Sequence, residues 1–123
     1  MPAKRRRLSR SGEFDRVYRD GSSQATRHLV LYSFPRREED EGGLRLGVSA
    51  SRKVGGAVER NRVKRVMREA FWSLAERLPA GHDFVLVARP EIAALVEREG
   101  AAGVRASIEE ALAGSARAGG RST

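Results

Sequence analysis

The sequence predicts a single α/β domain in which a parallel strand crossover is built around one long basic helix. Three observations carry this. Residues 57–78, AVERNRVKRVMREAFWSLAERL, place Val63, Val66, Met67, Ala70, Phe71, Leu74 and Leu78 at the spacing of one buried helix face. Residues 44–50 before it, LRLGVSA, set Leu44, Leu46, Val48 and Ala50 against Arg45, Gly47 and Ser49, the alternation of a half-buried strand. Residues 83–88 after it, DFVLVA, form the short apolar run of a strand buried on both faces. Strand, helix and strand in that order ask for a crossover between parallel neighbours.

The elements follow in order. Residues 1–7 are basic and carry no periodic pattern, so they read as a flexible arm. Residues 8–20 read as a short helix. Leu8, Phe14, Val17 and Tyr18 recur at helical spacing, Ser9 or Ser11 can cap it, and Gly21 fits the position just past its end. Phe14 and Tyr18 lie four apart on one face and by pattern read as core aromatics. Residues 27–34, RHLVLYSF, read as a strand with Leu29 and Leu31 on one face and Val30, Tyr32 and Phe34 on the other. Both faces are apolar, so this strand is either covered twice or offers an aromatic to a ligand.

Residues 35–43, PRREEDEGG, read as a solvated hairpin loop that pairs the strand before it antiparallel with 44–50. Its carboxylates lack the ligand spacing of a calcium loop. Ser51-Arg52-Lys53-Val54-Gly55-Gly56 leads into the long helix, and a basic pair, two glycines and a helix N-terminus suit a phosphate. The helix should end near Leu78, where Pro79 and Gly81 are stop signals. Residues 91–98 and 104–113 read as two further helical pieces, and 114–123, GSARAGGRST, as a disordered tail. Residues 8–113 thus form one domain between two tails.

Charge narrows the function. The 123 residues carry a formal +8, and 21 of the 24 basic side chains are Arg, which contacts phosphates bidentately and stacks on bases. Residues 1–27 and 52–69 each carry +5, so the remainder is slightly acidic. Such asymmetry fits a polyanionic partner met at two places. On a helical wheel Arg60, Asn61, Lys64, Arg65 and Arg68 form a cationic ridge beside the apolar stripe. Arg62 falls off that ridge and can serve either the fold or a partner. Trp72 borders the ridge, either stacking there or forming a half-buried rim.

Other classes are disfavoured. There is no cysteine, no apolar run long enough to span a membrane and no apolar segment behind the basic N-terminus, so a soluble, cytoplasmic protein is expected. His28 and His82 stand in no metal-ligand spacing, and neither GxSxG nor GxGxxG occurs. Asp83 follows His82, but neighbours on a strand point apart. No metal or catalytic constellation intrinsic to the chain is visible. Strands with aromatics beside a basic helix suit unpaired RNA.

The run ERNRVKRVMREAF resembles the signature of the bacterial ribonuclease P protein subunit family. The blocks RLSRSGEFDRVYRDG, LRLGVSASRKVGGAVERNR and HDFVLVARP match it in the same order, so the likeness covers about residues 7–113. The resemblance implies a two-layer α/β sandwich with a small mixed sheet and a left-handed βαβ crossover around the basic helix. It implies a partnership with a catalytic RNA that removes the 5′ leader from precursor tRNA, with Mg²⁺ held mainly by the RNA. No obligate protein partner and no membrane are implied.

Matched residue by residue, Arg60, Asn61, Arg62, Lys64, Arg65 and Arg68 would face the catalytic RNA. Phe14, Tyr18 and Tyr32 would line the cleft for the single-stranded leader, and Arg52, Lys53 and Arg89 would lie near its path. The chain departs from some relatives at Ser51, Gly56 and Pro90, where basic residues can stand. The alternative reading of the same ridge is a general RNA chaperone or ribosome-associated binding protein.

Overall fold

In the computed structural model, residues 5–7, 22–35, 44–78 and 81–119 are described. The strands are β1 (Arg5–Arg7), β2 (Ser22–Ala25), β3 (Leu29–Pro35), β4 (Leu44–Ser49) and β5 (His82–Ala88). The helices are α1 (Ala57–Trp72), a 3₁₀ turn at Ala75–Arg77, and α2 (Ile92–Gly119). The five strands form one mixed sheet in the order β1-β4-β5-β3-β2. β1, β4 and β5 run parallel, whereas β3 is antiparallel to both β5 and β2. The β4–α1–β5 crossover between parallel neighbours is therefore present.

The antiparallel β3–β4 pair expected from the sequence is not. β5 lies between them, pairing Leu44–Ser49 on one edge and Leu29–Pro35 on the other. Its composition explains why. Phe84, Val85 and Leu86 are all fully buried, so β5 needs neighbours on both edges and cover on both faces, which only a central strand has. The polar positions of β4 would leave more buried polar surface in that place.

One face of the sheet carries the main core. Leu29, Leu31, Leu44, Leu46, Phe84 and Leu86 meet Val63, Met67, Ala70, Phe71 and Leu74 from α1, and Ile92, Leu95, Val96, Val104, Ile108 and Ala111 from α2. α1 lies over β4 and β5, α2 over β2 and β3, and the two helices pack on each other. This gives the two layers. Phe71 sits at the centre, edge-on to Trp72 at 5.0 Å and tilted against Phe84 at 5.3 Å. Burying that ring completely stabilises the fold by roughly 2–3 kcal/mol.

α1 stops at Trp72, short of the Leu78 end that the apolar stripe suggests. The Ser73 hydroxyl donates to the Ala70 carbonyl at 2.7 Å, and bonds from Leu74 N–H to Phe71 C=O and from Arg77 N–H to Leu74 C=O tighten the chain into 3₁₀ turns. Leu74 and Leu78 still reach the core. The two C-terminal pieces are one element broken at Gly100, whose φ of +62° only glycine adopts at little cost. Past the break Gly103 packs closely, since a Cβ there would lie 2.9 Å from a Leu95 methyl.

The helix continues to Gly119, beyond the 113 boundary read from pattern. At the other end, Arg5–Arg7 form an edge strand beside β4 where pattern had given none, and Ser22–Ala25 form β2, which has no apolar alternation of its own. The expected helix at 8–20 and the loop at 36–43 lie outside the described residues.

Candidate nucleic-acid interface

α1 divides as the wheel requires. Val63, Met67, Ala70 and Phe71 are buried. Arg60, Lys64 and Arg68, one turn apart, flank that stripe half-buried, while Asn61, Arg62 and Arg65 are exposed. The side chains of Arg52, Lys53, Arg60, Arg62, Lys64 and Arg65 make no hydrogen bond or ion pair among the described residues. Ion pairs among the described residues include Arg45–Asp83, Arg77–Glu109 and Arg98–Glu99. Arg60 goes further, because its Nε is buried and finds no acceptor among the described residues. A buried donor without a partner is rare in a folded chain. Arg62 lines a shallow hollow with Gly56, Ala57, Val58 and Glu59, and Val58 is 85% exposed. Among the described residues nothing engages the Arg62 head group. Trp72 is half-buried and packs against the core.

Preceding α1, the Val54 N–H donates to the Ser51 carbonyl at 3.0 Å, which closes a tight turn. Val54 is buried and anchors it, leaving Arg52 and Lys53 exposed at its corner. The N-terminus of α1 at Gly56 has no side-chain cap.

The second face of the sheet holds Tyr32. Register places Tyr32 opposite Val85, Phe34 opposite Asp83 and Val30 opposite Val87. Val85 is fully buried, and Tyr32, Phe34 and Val87 pack half-buried around it. Beyond β5, Gly47 lies opposite Val85 and Arg45 opposite Asp83. This face is thus apolar and aromatic in the middle, with a charged row at one side. In that row the Arg45 Nε and Nη2 donate to the two Asp83 carboxylate oxygens at 2.7 and 2.6 Å. Asp83 does point away from His82, which stacks on Phe84 at 5.9 Å on the opposite face. The pair was not identified from sequence, although a lone acid opening an apolar strand is the signal that could have found it. Phe14 and Tyr18 lie outside the described residues.

Arg89 follows β5. Its backbone N–H donates to the His28 carbonyl at 2.9 Å and its Nη1 to the Thr26 carbonyl at 3.2 Å. Its guanidinium is therefore partly committed to the β2–β3 turn while the residue remains exposed.

A small α/β sandwich with a cationic helix edge and an aromatic sheet face has the features of an RNA-binding protein. The comparisons with known proteins narrow that class. A family model described as Ribonuclease P matches residues 1–112. The ribonuclease P protein component of Shouchella clausii is 41% identical over 109 residues, covering 89% of this chain and 84% of that one. That of Brevibacillus brevis is 43% identical over 89 residues, covering 72% and 69%. Among solved structures, the Staphylococcus aureus RNase P protein superposes with a TM-score of 0.71 at 32% identity, covering 89% of this chain and 94% of that one. The RNase P protein from Thermotoga maritima gives 0.73 at 28% identity, covering 85% and 92%. The chain belongs to the ribonuclease P protein component family, whose members serve the tRNA-processing ribonucleoprotein. Among the described residues no helix is long and apolar enough to cross a membrane.

Proposed function

We propose that this chain is the RNA-binding subunit of a cytoplasmic ribonuclease P and that it addresses two RNAs with two surfaces. The edge of α1, through Arg60, Asn61, Arg62, Lys64, Arg65 and Arg68, binds the catalytic RNA. The second sheet face, through Tyr32 with Phe14 and Tyr18, takes the single-stranded 5′ leader of precursor tRNA, and Arg52, Lys53 and Arg89 stand along its path. The hydrolysis that removes the leader is assigned to the RNA, with Mg²⁺ bound there as cofactor. The protein's own residues bind and orient.

The observation that carries this reading is the set of cations at 52–65 that find no partner among the described residues, the buried Arg60 Nε among them. Such donors suit acceptors on a partner, and phosphate oxygens match the guanidinium fork. The test is reconstitution. The protein alone is expected to leave precursor tRNA intact, and to restore efficient cleavage at low Mg²⁺ when added to the cognate catalytic RNA. No change in that RNA's activity or Mg²⁺ requirement would overturn the proposal. Recovery of mixed ribosomal RNA with the purified protein would favour the chaperone reading instead.

The leader surface has its own test. Replacing Tyr32 by Ala in the holoenzyme should weaken precursor binding by about 1–3 kcal/mol, the worth of one stacked base, and leave mature tRNA binding unchanged. An equal loss for both ligands rejects the leader role.

A further inference from the structure

One end of the sheet gathers three cationic tips that come from distant parts of the chain. β4 ends in the tight turn that carries Arg52 and Lys53. Its neighbour β5 ends at Ala88 and delivers Arg89. The next strand, β3, begins after the two-residue tip Arg27-His28 of the β2–β3 hairpin. Strand order therefore sets Arg52 and Lys53, then Arg89, then Arg27 and His28 side by side. This is also the carboxyl end of the parallel pair β4–β5, the end at which open α/β sheets receive ligands. In the segments 26–29, 50–56 and 89–91 that form it, Glu91 is the only acid against Arg27, Arg52, Lys53 and Arg89.

The hairpin tip is a built feature. Thr26 is buried at 6% exposure and accepts at its hydroxyl from the N–H groups of His28 and Leu29, both at 3.2 Å. The same hydroxyl meets that of the buried Ser107 in α2 at 2.7 Å, and the Thr26 N–H donates to the Leu29 carbonyl at 2.8 Å. Arg89 closes the arrangement with its two bonds to the Thr26 and His28 carbonyls. The tip is thus held from three sides. Arg27 is left exposed at its apex, and its side chain makes no bond among the described residues.

We propose that this end of the sheet is a phosphate-binding crest that continues the Tyr32 face, with Arg27 as a further RNA-binding residue and Arg89 as the residue that positions it. The inference rests on the reading that the Tyr32 face takes the single-stranded leader. His28, Val30 and Tyr32 share strand parity, so a strand stacked at Tyr32 and running along β3 reaches the crest after about 13 Å, four residues of strand rise. The ligand is the sugar–phosphate backbone of single-stranded RNA beyond the stacked bases. The Arg and Lys contacts of the crest read charge and not sequence.

The test uses the holoenzyme with three ligands: precursor tRNA with a long leader, precursor with a leader too short to pass Tyr32, and mature tRNA. Arg27→Ala should raise the Kd for the long-leader precursor roughly three- to tenfold, the effect of one lost charge-assisted phosphate contact. The other two ligands should bind as before. Arg27→Lys should retain most of the affinity. The slope of log K against log salt for the long leader should shrink by about 0.7 in Arg27→Ala. An unchanged Kd for the long leader, or an equal rise for all three ligands, overturns the crest. Tyr32→Ala serves as the separate arm. If it fails to discriminate precursor from mature tRNA, the leader face itself is wrong. If it discriminates while Arg27→Ala is silent, the face stands and the crest falls.

Discussion

Replacing Asp83 by Ala is expected to destabilise the protein by about 3 kcal/mol, the low end of the loss when one partner of a buried ion pair is removed. Asp83 is 1% exposed and accepts both Arg45 bonds, so its loss strips a largely buried guanidinium of its bidentate counter-charge. Arg45 keeps 15% exposure, and the residual water contact places the estimate at the lower end. Urea unfolding of wild type and variant measures the difference. A loss below about 1 kcal/mol would mean that the pair is not coupled in the folded state. The double variant Arg45→Met with Asp83→Leu supplies the control, because an apolar pair of similar volume should recover much of the loss. The pair lies in the register row next to that of Tyr32, so the single variant should also loosen leader binding before the fold is lost.

Replacing Arg60, Lys64 and Arg65 together by Ala is expected to weaken binding to the catalytic RNA on the order of 100- to 1000-fold near physiological salt, with the salt slope reduced by about two to three units. The helix itself should persist, since all three positions lie outside the buried stripe and Ala is the strongest helix former. Arg60→Ala alone sharpens the prediction. It removes a buried donor that has no acceptor among the described residues, so stability should be unchanged or slightly raised while RNA affinity falls. Opposite signs in melting temperature and in affinity would mark Arg60 as a group kept for its ligand. A clear loss of stability would instead show that it serves the fold. Filter binding across a salt series, with thermal melts of the free protein, decides between them.

The two faces of α1 were legible in the sequence because a helix writes its faces at a fixed period. Val63, Met67, Ala70 and Phe71 are buried as their spacing requires, and the cationic residues flank them. The length of that helix was less legible. Leu74 and Leu78 continue the stripe and are buried, but they arrive there through 3₁₀ turns that apolar spacing does not distinguish from α-helix. β2 was illegible for a different reason. Ser22–Ala25 have no apolar alternation, and the strand exists through its pairing with β3. Arg27 passed unnoticed because a single Arg before a strand looks like any solvated charge. Only the bonds from Arg89 and Ser107 to its neighbours show that the tip carrying it is fixed.

The sequence by itself determined the α/β class, the two faces of the basic helix, the family likeness and the face of β3 that carries Tyr32. These are local properties, set by side-chain period and residue type over ten or twenty positions. The tertiary structure alone decided that β5 and not β4 lies beside β3, that Asp83 meets Arg45, and that Arg52, Lys53, Arg89 and Arg27 share one end of the sheet. Each is a contact between segments far apart in the chain. Strand order is chosen by which strand can be buried on both faces and paired on both edges, and that choice is made by the assembled core.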